Sequence, residues 1–152
     1  MTLPVSPDID VVLTKLRALL LDILPATMEV ITGPVNRAAQ PKGGHVVMTH
    51  LFDMRLRTNE TTYRRPTDPA PATGFADIEQ GTEIHVQLDF YGGTNFPASA
   101  PAQWAAAAST IFRDEYAVEA LAPEAAPLYI DDARMIPLVT GEEQYRVRYA
   151  CT

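Results

Sequence analysis

The sequence holds one cysteine and three histidines, so the soft metal ligands and near-neutral bases on which most catalytic sites depend are in short supply. Cys151 has no partner for an internal disulfide, and the opening MTLPVSPDID lacks the basic and apolar regions of a secretion signal; folding in the cytosol is the expectation. Next to the final residue, Cys151 is also expected to lack a rigid setting that would depress its pKa. The spacings GxSxG, HExxH and CxxC do not occur. The apolar run Ala18 to Leu21 is far short of a membrane span, and no period of solenoid length is visible. Positive charge is in deficit as well. With 12 Lys and Arg against 19 Asp and Glu, the net charge is −7, which repels phosphate backbones and disfavours binding of nucleic acid through counterion release.

What is present suits one packed domain. The 152 residues are enough for a single core over 1–152 and too few for two comfortable ones. Apolar residues make up 47% and charged residues 20%, a globular rather than a disordered balance. Thirteen prolines imply many stiff connections between short elements.

The stretch IHVQLDFYGGTNFPASAPAQWAAAASTIFRDEYAV, residues 84–118, organises the rest. Ile84, Val86, Leu88 and Phe90 alternate with His85, Gln87 and Asp89, the period of a strand with one dry face and one wet or partner-covered face. Gly92 and Gly93 then permit backbone angles closed to other residues, and Pro97 and Pro101 bracket a helix entry that Ser99 is placed to cap. Trp104, Ala108, Ile111 and Phe112 recur at helical spacing, and Ala105 to Ala108 are small enough to bring that helix close to the sheet.

Elsewhere, Ile9, Val12, Leu13, Leu16, Leu19, Leu20 and Ile23 form the apolar stripe of a helix over 6–24, with Ser6 as cap and Pro25 as stop. Met28 to Thr32 reads as a short strand. The loop GPVNRAAQPKGG carries Lys42 among glycines but lacks the P-loop spacing, so a solvated connection is the better reading. In a long strand over 45–57, Phe52, Met54 and Leu56 alternate with Asp53, Arg55 and Arg57. Thr61 to Arg65 is expected to return along it as a projecting hairpin whose tip gathers Arg55, Arg57, Arg64 and Arg65. Such a cluster is either solvated surface or a set of guanidinium forks for carboxylates on a neighbour. PTDPAPATG, residues 66–74, holds no regular element. Phe75 to Glu79 resumes the sheet, Ala120 to Pro127 is a connector, and Leu128 to Leu138 is an irregular edge segment. Tyr145, Val147 and Tyr149 alternate with Gln144, Arg146 and Arg148 in a last strand.

Chemistry finds little to work with. His45 and His50 fall on opposite faces of one strand, and His85 lies two pleats from Asp89, so no metal site and no cofactor is indicated. The pairs Asp131, Asp132 and Glu142, Glu143 read as surface charge, with a small metal-dependent hydrolase using them as the alternative from another class.

Leu88-Asp89-Phe90-Tyr91-Gly92, the alanine-rich helix with Trp104, Pro127-Leu128-Tyr129, Arg134-Met135-Ile136-Pro137-Leu138 and EEQYRVRY over 142–149 occur in an order that resembles the neck and tail terminator proteins of tailed bacteriophages. The likeness covers 89–149, with a looser match in kind before it and none for the insert at 66–74. It implies an α+β subunit with no catalytic residues: a mostly antiparallel sheet, two main helices packed on it and the projecting hairpin. It further implies self-assembly as a hexameric ring that caps the tail tube, joins it to the head connector and lets genomic DNA pass without specific binding. The setting would be the virion neck, after assembly in the host cytoplasm and with no membrane involved. A head-completion or tube role in the same machine is the nearest alternative. In that setting the polar row His85, Gln87 and Asp89, the basic row Arg146 and Arg148, and the arginines Arg55, Arg57, Arg64 and Arg65 become the expected subunit contacts.

Overall fold

A computed structural model describes residues 8–33, 41–56, 58–64, 75–136 and 148–152. The expectations on Ser6, Pro7, Asn36, Lys42's neighbours at 34–40, the insert at 66–74 and the pair Glu142, Glu143 fall wholly or partly outside them. The fold is α+β, with three helices and a mostly antiparallel sheet among the described residues. In chain order the elements are α1 (Ile9–Ile23), β1 (Glu29–Gly33), β2 (His45–Arg55), β3 (Glu60–Arg64), β4 (Phe75–Glu79), β5 (Thr82–Tyr91), α2 (Ala100–Ile111), α3 (Glu115–Leu121), β6 (Arg134–Ile136) and β7 (Arg148–Cys151).

Five strands form one sheet in the order β1-β2-β5-β7-β6, and β3 pairs with β4 in a second sheet of two. The β1–β2 pair is parallel and sets Val30 beside Val46, while β5–β7 and β6–β7 are antiparallel. The chain divides into two compact units, residues 1–50 with 86–152, and residues 51–85.

The first unit holds the core. Leu13, Leu16, Leu19 and Leu20 of α1 meet Val30, Val46, Met48, Leu88 and Phe90 of the sheet and Trp104, Ala105 and Ala108 of α2. Ile9 and Ile23 extend the α1 stripe at its margins. Each large side chain taken out of water here contributes roughly 1.5–3 kcal/mol, which a helix of this length needs because its own propensity is marginal. Arg17 adds a polar tie, donating from Nε to the Val30 carbonyl at 2.9 Å.

Several local expectations are corrected. Asp8 caps α1, its carboxylate accepting from the Asp10 amide at 3.2 Å. Ser99 occupies the cap position of α2, yet its backbone is already helical and its hydroxyl makes no capping bond. The helical stretch breaks at Phe112 because Asp114 opens a separate helix, its carboxylate accepting from the Tyr116 amide at 3.0 Å. Ala120 and Leu121 are therefore helical rather than part of a connector.

Gly93 is required for a different reason from the one its sequence context suggests. None of the described glycines has a positive φ. A Cβ on Gly93 would lie 2.4 Å from the Gly44 nitrogen and 2.6 Å from the Gly43 carbonyl carbon. The corner after β5 and the turn before β2 thus pack backbone against backbone, and Gly44 in turn sits under Phe96 and Trp104. The two rings meet edge to face at 4.9 Å, a favoured arrangement for aromatic quadrupoles.

Candidate subunit interface

The polar row of β5 has two different environments. In the first unit Asp89 is 4% exposed, and the Gln87 amide nitrogen lies 2.9 Å from each of its carboxylate oxygens. A buried carboxylate demands such partners, because an unpaired charge in a dry site is costly. His45 and Tyr91 stack at 4.8 Å, nearly parallel, and His45 Nδ1 lies 2.9 Å from the Gly43 carbonyl oxygen. The expected wet face of β5 is therefore covered at Asp89 and Tyr91 within a single chain.

In the second unit His85 is half-buried, its Nε2 2.9 Å from Glu83 Oε1 and its ring stacked on Phe52 at 4.2 Å. The Leu56 amide donates to the Gly81 carbonyl at 3.0 Å. The expected hairpin is not formed as drawn from sequence: β3 does not return along β2 but pairs with β4, placing Thr61 opposite Ile78 and Arg64 opposite Phe75. The pattern of 61–65 fits a strand, but nothing in it specifies which partner it takes.

Arg55 is exposed at the end of β2. Arg64 and Arg148 occupy register positions in β3 and β7, opposite Phe75 and opposite Tyr91 and Ile136 respectively. Arg57, Arg65 and Arg146 lie outside the described residues. Cys151 stands in the β5–β7 ladder opposite Leu88, so its backbone setting is more ordered than its place in the sequence suggests.

The largest exposed feature of the second unit is apolar. Phe52, Met54 and Leu56, the apolar side of the alternation in β2, are all about half exposed, and Tyr63 and Ile78 are exposed at 82% and 65%. A two-stranded ribbon is marginal in water on its own, and a run of large apolar side chains left in solvent marks a surface made for contact. A second such group, Leu128, Tyr129 and Met135, lies in the first unit along the segment that leads into β6. Sequence reasoning passed over both groups. The available signal was that the apolar alternation of β2 continues well past the five residues that pair with β1.

Among the described residues no three His, Cys, Asp or Glu side chains gather as a metal site would require. Asp132 bridges Arg113 at 3.1 Å. No helix among the described residues is long and apolar enough to cross a membrane.

The model of a family described as phage neck terminator protein matches residues 10–152. The chain belongs to that family. The phage neck terminator is a structural protein of the virion, and the match spans α1 to β7, both units included. Comparison with curated proteins finds no match for this terminator.

Proposed function

We propose that the terminator assembles with copies of itself into a closed hexameric ring that ends the tail tube and joins it to the head connector. Genomic DNA passes through the ring without specific contacts, and assembly takes place in the host cytoplasm before the ring enters the virion. The observation that carries this reading is the exposed apolar surface of residues 51–85, where Phe52, Met54, Leu56, Tyr63 and Ile78 stand in solvent on a unit too thin to bury them. The family match supplies the setting. Arg55, Arg57, Arg64 and Arg65, with Arg146 and Arg148, supply charge for neighbouring carboxylates. His85, Gln87 and Asp89 hold β5 in shape from within the chain, His85 beside Glu83 and Phe52 and Gln87 on Asp89. The net charge of −7 suits a channel along which DNA slides.

The test is the mass and shape of the purified particle. Light scattering at micromolar concentration is expected to give about six times the 16.7 kDa chain, and negative-stain images are expected to show closed rings. Arg55→Glu is expected to shift the population toward smaller species, most strongly at low salt, where charge pairs are least screened. A wild-type monomer at every concentration, with or without tube and connector, would sink the proposal; extended tubes would move it to the tube itself.

A further inference from the structure

Among the described strands the five-stranded sheet is bounded by β1 on one side and β6 on the other. A bounding strand presents backbone donors and acceptors to which a strand of another chain can pair, and soluble proteins close such borders with charged side chains or short cover. Alternation along β1 shows which groups these are. The Glu29 amide donates inward to the Gly44 carbonyl at 3.4 Å, in a parallel ladder that sets Glu29 beside His45. In a parallel pair one residue turns both its amide and its carbonyl toward the partner strand and the next turns both away. Glu29, Ile31 and Gly33 therefore face β2, while Val30 and Thr32 face the outer border.

The Val30 carbonyl on that border is taken. Arg17, one residue beyond the buried Leu16 of α1, donates to it from Nε at 2.9 Å. Just ahead of the strand the Met28 amide donates to the Pro25 carbonyl at 2.9 Å, so the border is also closed where it begins. A donor at that distance from an outward carbonyl stands where the amide of a next strand would stand, since neighbouring strands run about 4.8 Å apart. Arg17 is exposed, and a hydrogen bond made at the surface adds little to stability. Its effect on an arriving strand is larger, because the newcomer must displace the bond and leave a positive charge beside its own backbone.

We propose that Arg17 is a guard: it closes the β1 border against strand addition by a second copy, so that copies of this chain are kept from joining sheet to sheet there. This holds whether the chain works as a ring or alone, because it concerns a surface that is denied to partners.

Arg17→Met keeps the aliphatic stem and the helix propensity and removes donor and charge. Its circular dichroism and melting curve are expected to match those of the wild type. Size exclusion with light scattering is expected to show species larger than the wild-type particle, setting in at about tenfold lower protein concentration, the scale of one net hydrogen bond. Arg17→Lys, which keeps a charge and a donor, is expected to behave as the wild type. Thr32→Pro placed in the Arg17→Met chain removes an outward amide and leaves the β1–β2 ladder intact, and is expected to abolish the larger species. A folded Arg17→Met that associates no more than the wild type overturns the guard. So does association that survives Thr32→Pro, or that appears equally in Arg17→Lys. Should Arg17→Met melt early, Arg17→Gln, an equally good helix former that is shorter and uncharged, is read in its place by the same comparisons.

Discussion

Gly93 shows how a single residue was legible in kind but not in cause. A double glycine after a strand announces a corner, and a corner is present, but the pressure is steric: the backbone of residues 43–44 leaves no room for a Cβ. Contacts between segments far apart in sequence leave no local trace, so pattern alone could not supply that reason. Gly93→Ala is therefore expected to lower stability by about 2–3 kcal/mol, since backbone rather than a side-chain tip must move. At Gly43, where a Cβ would meet nothing within 4 Å, the same change is expected to be near neutral; urea denaturation of the two variants side by side distinguishes them. A second residue-scale effect concerns acid. Lys15 donates to Glu124 and to the Ala122 carbonyl, and that hydrogen bond holds the Glu124 carboxyl below its ordinary range. The folded chain then binds fewer protons than the unfolded chain in this window. The stabilisation is complete above the ordinary carboxylate value and disappears as pH falls through the lower folded one. Glu124→Gln is expected to remove that slope, seen as a flatter acid limb in melting temperature against pH.

At the scale of elements, periodicity located α1, β1, β2, β4 and the strand-to-helix passage from β5 into α2, because one-sided burial imprints its period on the sequence. Caps were read less well. Ser99 has the right identity for a cap and makes no such bond, while Asp114 caps a helix that the alanine-rich run concealed. Asp114→Ala is expected to cost about 1 kcal/mol, the usual worth of a cap, and Ser99→Ala less than about 0.5 kcal/mol; chemical denaturation midpoints at constant slope check both. The partner of β3 was also out of reach. Five residues with strand character accept either neighbour, and the choice is made by the ladder with β4 across the insert.

For the whole molecule, the order of short motifs was enough to indicate the neck terminator family, while the surface proposed for contact between copies was not readable. Alternation marks Phe52, Met54 and Leu56 as apolar and says nothing about whose interior they enter. Their exposure in the single chain is what the structure adds, and the particle mass tests whether copies meet there. The sheet order has a bearing on how such a particle is made. β7 sits between β5 and β6, and its ladder with β5 joins positions about 60 apart, a long-range closure of the slow kind. Without residues 148–151, β5 would keep a raw border along Leu88–Tyr91 and β6 would lose the strand it is laced to, so a chain cut short before β7 is expected to stick to strangers through that border.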